Sequence, residues 1–420
     1  MSFKIEKVAV LGTGVMGSQI AAHLTNAGIE VYAFDMSQEI SEEGIEKCKK
    51  IKPAPFYNIK TSSLITSMNY DKDLEKIKNC DWVIEVIAEK LNWKQDLYKK
   101  IAPYLKDECI ITSNTSGISL KNLSKDLSPE FIKRFFITHF FNPPRYMKLV
   151  EIISSDSTDK NLVDMMDDFL TNELGKNVVH ANDTPNFIAN RIGVYGMMVT
   201  LEESRKSNLS IEDVDALTGT LIGRPKSATF RTADVVGLDT LCFVANTAYN
   251  DCPDDPERKI FELPNYLVKM IENKWLGQKT NQGFYKKIEK GVIYSLDLNT
   301  LEYKPMKKKK YSAFAIAKEN TYLVDRLSSV VRVNDVAGNF LWKCFARSLS
   351  YAANLLGEIS DDIVSIDNAM KSGFGWDLGP FEVIDAIGFK YFVDRCQAEN
   401  IKLPEWMILM RKNNHDYIYK

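Results

Sequence analysis

The feature that most constrains the fold is a glycine-rich turn near the N-terminus, GTGVMG, which spans Gly12–Gly17. It follows the apolar run Val8–Leu11 and opens an amphipathic helical pattern, so that a strand, a turn and a helix follow one another. In this context Gly12 allows a tight turn, Gly14 lets the backbone approach a pyrophosphate, and Gly17 lets the helix pack closely on the strand. Unpaired N–H groups at the start of the helix favour an anion there. The pattern therefore predicts a dinucleotide-binding site.

A carboxylate stands where the second predicted strand ends. Asp35 follows the apolar run Ile29–Phe34 and lies about 20 residues beyond the glycines, where such a side chain accepts a hydrogen bond from the adenosine ribose 2′-hydroxyl. No arginine follows Asp35 to pair with a 2′-phosphate, so the pattern favours NAD over NADP. The alternative is a purely structural turn, and the strand, helix and terminal carboxylate together argue against it.

Apolar runs alternate with helical patterns through the first 184 residues. Three of these runs follow the second strand: Trp82–Ile87, Ile110–Thr112 and Phe135–Phe141. Near-continuous apolar strands separated by helices indicate a parallel sheet that is covered on both faces. We therefore expect an α/β fold, a Rossmann-type doubly wound sheet, over residues 1–184. Residues 38–70 are rich in lysine and contain two prolines, and we interpret them as a helical hairpin inserted after the second strand.

Beyond residue 184 the pattern becomes helical and repeats itself. IEDVD, which ends at Asp215, resembles IVSID, which ends at Asp367, and DVVGL from Asp234 resembles DAIGF from Asp385. In both matches the two segments lie about 150 residues apart, and this common offset indicates an internal duplication rather than chance. The sequence therefore predicts two related all-α domains after the sheet, with these segments in order: residues 185–285, a hairpin or linker over 286–318, and residues 319–420.

The composition argues against several classes of function. Lys+Arg 54 against Asp+Glu 56 gives a net charge of −2, which does not favour a nucleic-acid partner. No run approaches the ~18 apolar residues that a membrane helix needs, and the strand-like N-terminus leaves no room for a signal peptide. The 7 cysteines contain no CxxC pair, which indicates a reducing compartment without a disulfide framework or zinc site. We therefore expect a cytoplasmic protein without a metal ion and without a membrane or nucleic-acid partner.

The chain has only 4 histidines, which narrows any histidine-based chemistry. His139 is the one that ends a predicted strand, at the edge where open α/β sheets bind ligands. Glu151 lies in a later β-like run, and a turn through Pro143-Pro144 would bring its carboxylate beside the imidazole, in an orienting role. A histidine titrates near neutral pH and takes the proton of an alcohol as hydride leaves. The residues alone also allow a structural strand-end histidine and a surface glutamate.

Several stretches of the chain together resemble one family, the NAD-dependent L-3-hydroxyacyl-CoA dehydrogenases of fatty-acid β-oxidation. The stretches are VAVLGTGVMG, DWVIEVIAEK, SNTSG, HFFNPP with KLVEII, NDTPNFIANRI and GFGWDLGPFEVIDAIG. The resemblance covers nearly the whole length, and the spacing of HFFNP and VE after SNTS is its sharpest part. It matches the form with a duplicated C-terminal helical domain. Many such relatives carry a fused enoyl-CoA hydratase module, and we expect none here because the chain stops at Lys420.

The resemblance implies a role for each matching residue. His139 would be the base that deprotonates the 3-hydroxyl group of an acyl-CoA substrate, and Glu151 would be its partner. Ser116 and Asn190 match polar residues near the substrate carbonyl and hydroxyl groups. Hydride would pass from C3 of the substrate to the nicotinamide. The residues on the cofactor side would be Gly12, Gly14, Gly17, Asp35, Glu89, Lys94 and Asn142, although Glu89 and Lys94 also fit an exposed helix pair.

Two segments leave alternatives open. The lysines at positions 49, 50 and 52 loosely match a lysine-rich segment that the family places against the CoA nucleotide, but they also fit a solvated surface. Residues 223–230 depart from the family's GxGPF-like turn, which residues 375–381 keep better. Arg224 and Lys226 in that departure would contact the acyl chain or CoA, or would serve local packing.

The sequence leaves two rival functions open. One is a CoA-independent hydroxy-acid dehydrogenase, for example for a sugar acid, and the other is a non-catalytic structural relative. The intact set of His139, Glu151, Ser116 and Asn190 argues against lost activity. As partners we expect a separate hydratase or thiolase in transient contact. Because two helical copies can pack against each other, we expect a monomer with an internal pseudo-dimer.

Overall fold

The computed structural model describes residues 4–307 and 309–419. It consists of two units, Met1–Phe187 and Ile188–Lys420. Lys308, which falls in the predicted connector 286–318, lies outside the described residues. In the part of the chain that is described, no helix is both long enough and apolar enough to cross a bilayer.

The apolar runs of the first unit form one sheet of eight strands. The strands are β1 (Lys7–Leu11), β2 (Glu30–Asp35), β3 (Ile65–Asn69), β4 (Trp82–Glu85), β5 (Ile110–Ser113), β6 (Phe135–Phe140), β7 (Leu149–Ile153) and β8 (Asn177–His180). Their order in space is β3-β2-β1-β4-β5-β6-β7-β8. The chain order reverses between β1 and β4, and in open α/β sheets such a reversal opens a crevice for ligands at the carboxyl ends of the strands.

The sheet is parallel from β3 to β6, as the sequence predicts, but its last two strands run the other way. β7 pairs with β6 in antiparallel register, and β8 pairs with β7 in parallel. The reason is the short connection between β6 and β7, which allows a direct return, whereas a parallel crossover needs a dozen or more residues. This return brings the ends of two strands together at one edge of the sheet.

Helices cover both faces of the sheet: α1 (Val15–Asn26), α2 (Gln38–Cys48), α3 (Leu91–Ile101), α4 (Leu120–Ser124), α5 (Pro129–Ile132) and α6 (Lys160–Asn172). Ile20 and Leu24 of α1 share one buried cluster with Val8 and Val10 of β1. The expectation of a helical hairpin over residues 38–70 is wrong. The segment forms the single α-helix α2, then irregular chain with two prolines, a 3₁₀ turn at Ile59–Leu64 and strand β3. Proline does not allow a second helix there because it removes a backbone donor and clashes with a helix interior.

The second unit is mainly helical. Its elements are α7 (Ala189–Lys206), α8 (Ile211–Thr218), α9 (Phe230–Val236), α10 (Leu238–Asp251), α11 (Asn265–Glu272), the strands β9 (Tyr285–Glu289), β10 (Val292–Leu296) and β11 (Tyr303–Pro305), then α12 (Ser312–Glu319), α13 (Leu323–Val330), α14 (Val336–Asn354), α15 (Ile363–Phe374), α16 (Pro380–Ile387), α17 (Phe389–Ala398) and α18 (Glu405–Lys412). We call α7–α10 the first helical repeat and α14–α17 the second helical repeat.

Matched aspartates of the two repeats make the same contacts. Asp215 accepts hydrogen bonds from backbone N–H groups around the start of α9 and, at 2.8 Å, from the hydroxyl of Tyr285. Asp367 accepts the same bonds at α16 and, at 2.7 Å, from the hydroxyl of Tyr419. In the second matched pair, Asp234 and Asp385 each accept hydrogen bonds from the backbone N–H groups of that tyrosine and of the residue before it. These contacts support the duplication and extend it to the C-terminal tyrosine.

The departing turn of the first repeat packs against the second repeat. The guanidinium carbon of Arg224 lies 4.1 Å from the ring centroid of Trp376. The carbonyl oxygen of Gly223 accepts a hydrogen bond of 2.8 Å from the amide of Asp377. Both turns begin at a left-handed glycine, Gly223 with φ 70° and Gly375 with φ 66°. Of the two alternatives for this turn, these contacts support packing, while Lys226 stays exposed.

Candidate active site

The glycine turn has three separate geometric requirements. Gly12 has φ +107°, which L side chains rarely adopt. A Cβ on Gly17 would lie 1.9 Å from the Gly12 carbonyl oxygen, so only glycine allows α1 to pack this closely. A Cβ on Gly14 would meet nothing within 4 Å, although Gly14 is the N-cap of α1. The space beside the first turn of α1 is therefore open, as an approaching pyrophosphate requires.

The carboxylate of Asp35 faces this turn. Its Oδ2 atom accepts hydrogen bonds from the backbone amide of Thr13 at 2.7 Å and from its hydroxyl at 2.6 Å, and its Oδ1 accepts one from the Met36 amide at 2.8 Å. Asp35, Gly14 and Lys47 help to line a cavity of about 330 Å³ between the turn and α2. The remaining acceptor capacity of Asp35 and the open cavity fit the adenosine end of a dinucleotide.

The antiparallel return of β7 places His139 directly opposite Glu151. The Nδ1 atom of His139 lies 2.7 Å from Oε2 of Glu151, and both side chains are buried, with exposed fractions of 6% and 0%. An Nδ1–H that donates to the carboxylate leaves the lone pair on Nε2. The pair can therefore accept a proton at Nε2 and stabilise the resulting imidazolium, as the sequence pattern suggests.

Two aromatic rings lie against this imidazole. The ring centroids of Phe141 and Phe187 are 4.5 Å and 5.6 Å from that of His139. Phe187 is fully buried and has φ 50°, a left-handed backbone conformation that is unusual for a bulky residue. The rings restrict the orientation of the imidazole and exclude water from its faces.

Ser116 lies in the loop after β5, and this loop is held by Glu89. Oε1 of Glu89 accepts hydrogen bonds from the Thr115 hydroxyl, from the Ser116 amide at 2.9 Å and from the Gly117 amide at 3.1 Å. Burial alone would raise the pKa of Glu89, but the charge of Lys94 and these hydrogen bonds outweigh burial and hold the pKa below its usual value. Glu89 is therefore a carboxylate anchor for the loop that presents the Ser116 side chain.

Lys94 does not face solvent on a helix surface. Its side chain is 1% exposed, and its ammonium lies 2.7 Å from a Glu85 carboxylate oxygen and 3.3 Å from one of Glu89. Glu85 also accepts hydrogen bonds of 2.7 Å from the hydroxyls of Tyr98 and Ser113. The alternative of an exposed Glu89–Lys94 helix pair is therefore ruled out for Lys94. Sequence reasoning missed Glu85, although a lone carboxylate at the end of the apolar strand DWVIE was a readable signal.

Two asparagines connect loops around His139. The side-chain oxygen of Asn114 accepts a hydrogen bond of 2.9 Å from the Phe140 amide, which ties the loop after β5 to the end of β6. The side-chain oxygen of Asn142 accepts one of 3.1 Å from the Gln19 amide group of α1. Asn142 is exposed, so its amide nitrogen lies at the surface beside the first helix. Asn114 is a second residue that sequence reasoning did not single out.

Asn190 and the other three histidines are the remaining candidates from the sequence. Asn190 is in the first turn of α7, in the second unit, and is half-buried. His23 is buried in α1, as expected, and His415 is exposed. His180 ends β8, where its Nε2 lies 2.8 Å from a carboxylate oxygen of Asp167. Among the described residues of the first unit there are thus two histidine–carboxylate pairs, and of these that of His139 is the buried one.

Two family models match the chain. Residues 7–184 match "3-hydroxyacyl-CoA dehydrogenase, NAD binding domain", which agrees with the glycine turn and Asp35. Residues 187–287 and again 338–404 match "3-hydroxyacyl-CoA dehydrogenase, C-terminal domain". The N-terminal part is therefore an NAD-binding domain, which confirms the cofactor predicted from the sequence. The double match of the C-terminal model agrees with the repeated contacts of the matched aspartates.

Two longer proteins are similar to the chain over nearly its full length. A "Probable 3-hydroxyacyl-CoA dehydrogenase" of Bacillus subtilis is 44% identical over 99% of this chain and 55% of that protein. A "Putative fatty acid oxidation complex trifunctional enzyme" of Rickettsia felis is 34% identical over 97% of this chain and 57% of that protein. The chain thus spans little more than half the length of these relatives.

Solved structures show the same architecture. A 3-hydroxybutyryl-CoA dehydrogenase from Escherichia coli matches with a TM-score of 0.72 at 18% identity, over 98% of this chain and 99% of that one, which shows the fold alone. An (S)-3-hydroxybutyryl-CoA dehydrogenase from Ralstonia eutropha matches with a TM-score of 0.57 at 26% identity, over 67% of this chain and 98% of that one. The predicted fold class, a Rossmann-type sheet followed by a helical region, is confirmed.

Proposed function

The chain belongs to the 3-hydroxyacyl-CoA dehydrogenase family, and on that premise we propose that it oxidises an (S)-3-hydroxyacyl-CoA to the 3-oxoacyl-CoA in fatty-acid β-oxidation. The observation that carries the proposal is the buried His139–Glu151 pair at the end of β6, with 2.7 Å between Nδ1 and Oε2. An alcohol is oxidised only if a base takes its hydroxyl proton as hydride leaves, and this pair provides a base with a fixed tautomer.

His139 takes the proton, and Glu151 stabilises the positive charge that then lies on the imidazole. Nε2 accepts the proton of the 3-hydroxyl group, and the imidazolium that forms is stabilised by the carboxylate of Glu151. Because Glu151 is fully buried, this attraction is little screened by water. NAD, when bound, supplies the hydride acceptor. In the direction of reduction the imidazolium returns the proton to the oxygen at C3.

Polar residues outside the pair are proposed to orient substrate and cofactor. Ser116 and Asn190 would donate hydrogen bonds to the substrate oxygens. Glu89 would act on the cofactor side by holding the loop that carries Ser116. Lys94 would act through Glu89 rather than by direct contact, because its side chain is only 1% exposed. Asn142, exposed beside α1, is proposed to touch the nicotinamide side.

The NAD site is proposed to use the first turn of α1 and the carboxylate of Asp35. The first turn of α1 would hold the pyrophosphate through its backbone N–H groups, with Gly12 forming the tight turn, Gly17 allowing close packing of the helix, and Gly14 leaving open the space that the phosphates need. Asp35 would accept the ribose hydroxyl, as its Oδ1 receives only the Met36 amide. Lysines near α2 remain candidates for the CoA nucleotide, and Lys49 already pairs with Glu46 at 2.5 Å.

The test replaces His139 and follows NADH consumption with acetoacetyl-CoA. We expect His139→Ala to lower kcat by about 10²–10⁴-fold, the usual contribution of general acid–base catalysis, while NADH still binds in a fluorescence titration. The matched control is His180→Ala, which removes the other histidine that pairs with a carboxylate in this unit. Wild-type turnover in His139→Ala, or equal losses in both variants, would contradict the proposal.

The same assay separates the rival functions. A CoA-independent hydroxy-acid dehydrogenase would oxidise free 3-hydroxybutyrate or a sugar acid at least as fast as the CoA thioester. A non-catalytic relative would bind NADH without consuming it. A series from short to long 3-oxoacyl-CoA substrates then gives the preferred chain length.

Location and assembly are also part of the proposal. We propose a cytoplasmic protein, supported by seven cysteines that are all unpaired and buried, with a hydratase or thiolase as transient partners. We propose a monomer, supported by the packing of the two helical repeats through α7 and α14. Sedimentation at 47.8 kDa across a dilution series is the expected result, and sedimentation at twice that mass would contradict it.

A further inference from the structure

The helix that carries Asn190 is held on its first two turns by side chains of the second helical repeat. Asn190 is followed on α7 by Arg191, Gly193 and Tyr195, and each of these three contacts α14 or α15. A helix rises about 1.5 Å per residue, so all of these positions lie within about 8 Å of Asn190 along the axis. Their contacts therefore hold the turn of backbone from which the Asn190 side chain projects.

The contact of Arg191 is a closed hydrogen-bond triangle. Its Nε donates to the hydroxyl oxygen of Tyr351 at 2.6 Å, and its NH2 group donates to Asp255 at 2.6 Å. The Tyr351 hydroxyl in turn donates to Asp255 at 2.6 Å. Arg191 is 1% exposed, so the three bonds are not exchanged for water. The ring of Tyr351 also stacks on that of Tyr195, with centroids 3.7 Å apart and planes 9° apart.

The contact of Gly193 is steric. A Cβ at this position would lie 2.0 Å from Cζ of Phe374, the last residue of α15. The phenyl ring therefore occupies the place where any other residue would have a side chain. It sets both the distance of α7 from the second repeat and the rotation of α7 about its axis.

We propose that Tyr351 and Phe374 are positioning residues for Asn190, so that the second helical repeat takes part in the reaction through the helix of the first. This inference rests on the proposed contact of Asn190 with the substrate. Misplacement of a contacting group by about 1 Å lowers the rate of an enzyme by up to ~10²-fold. Neither Tyr351 nor Phe374 needs to touch the substrate for this effect.

The first experiment removes only the hydroxyl group of Tyr351. Tyr351→Phe keeps the stacking on Tyr195 and loses the bonds to Arg191 and Asp255. We expect kcat with acetoacetyl-CoA to fall about tenfold per mole of folded enzyme, with the NADH dissociation constant unchanged. The matched control is Tyr391→Phe, which removes a tyrosine–arginine hydrogen bond of 2.7 Å within α17 of the same repeat and should leave kcat unchanged.

The second experiment uses the steric contact. Gly193→Ala should lower kcat by about 10–100-fold because the new methyl group displaces α7 from Phe374. Phe374→Ala added to it makes room for the methyl group and should restore kcat to within about threefold of the Phe374→Ala single variant, even where the thermal midpoint stays low. Restoration of kcat without restoration of stability is a result that a merely structural role does not give.

The outcomes distinguish this inference from the proposed function. If wild type reduces acetoacetyl-CoA and His139→Ala does not, the proposed function stands. An unchanged kcat in Tyr351→Phe, or a Gly193→Ala defect that Phe374→Ala does not relieve, then overturns the positioning role alone. If wild type reduces no 3-oxoacyl-CoA, both fail.

Discussion

A buried histidine that takes no part in the proposed chemistry should contribute to the acid stability of the first unit. His23 lies on α1 and is 6% exposed. Burial is the main cause that lowers the pKa of His23 to about 3, the nearby charges of Lys176 and Arg145 lower it further, and the Leu174 carbonyl opposes the shift. In the unfolded chain the same imidazole titrates near its ordinary value of about 6.5.

The sign follows from where the proton binds. Below pH 6.5 the unfolded chain takes up a proton at His23, whereas the folded protein does not until about pH 3. The contribution of His23 to stability is therefore complete above pH 6.5 and is lost as the pH falls. At pH 5 the loss is about 2 kcal/mol of unfolding free energy, from RT ln(1 + 10^1.5).

The variant His23→Leu removes this linkage at similar side-chain volume. Urea unfolding at pH 8 and pH 5 gives the free energies, and hydrogen exchange at the amides of β1 restricts the measurement to the first unit. Wild type should lose about 2 kcal/mol more than His23→Leu between the two pH values. The control is His415→Leu, which removes an exposed histidine and should behave as wild type. Equal losses in wild type and His23→Leu would contradict a lowered pKa of His23 in the folded protein.

Three further predictions follow from contacts in the first unit. Lys94→Met leaves the buried carboxylate of Glu85, at the end of β4, without its cation and should lower the unfolding free energy by roughly 3–5 kcal/mol. Lys99→Met, at a half-exposed position, should change the unfolding free energy little. Equal effects of the two variants in urea titrations would contradict this prediction. Gly14→Ala should weaken NADH binding in a fluorescence titration and leave the thermal midpoint unchanged. Gly17→Ala should weaken binding and also lower the midpoint, since its Cβ would lie 1.9 Å from a carbonyl oxygen. A lower midpoint in Gly14→Ala than in Gly17→Ala would count against the roles given to these two glycines. Asp35→Arg should raise the ratio of kcat/KM for NADP to that for NAD, and an unaltered ratio would remove the ribose role.

Local sequence patterns were sufficient to predict the part of the fold that binds the dinucleotide. The turn Gly12–Gly17, the strand before it and Asp35 lie within about 30 residues, and their spacing reports the βαβ unit directly because each step depends on near neighbours. The duplication was also readable, since Asp215 and Asp367 keep the same surroundings in sequence and each binds the start of a helix.

Interactions between distant segments were not readable in this way. The segment at residues 38–70 forms one helix and then the edge strand β3 rather than two helices, because its prolines interrupt the chain after the first helix. Lys94, predicted on the cofactor side with an exposed helix position as the alternative, instead turns inward to Glu85, which lies nine positions earlier on a different element. A buried charge is stabilised only by partners that the tertiary fold delivers, and helix periodicity does not report them.

The candidate site shows most clearly which features local sequence patterns predict and which depend on contacts between distant segments. The sequence named His139 and Glu151, because a histidine at a strand end and a carboxylate in the next apolar run are local patterns. Whether the two would meet depended on the register of β7 against β6, and a shift by one residue would have turned Glu151 to the other face of the sheet. The contacts that hold the Asn190 helix, from Tyr351 and Phe374, lie more than 150 positions away in the chain. Residue types and local spacing carry the chemistry that is available, while packing between remote segments sets the distances and burial at which that chemistry can operate.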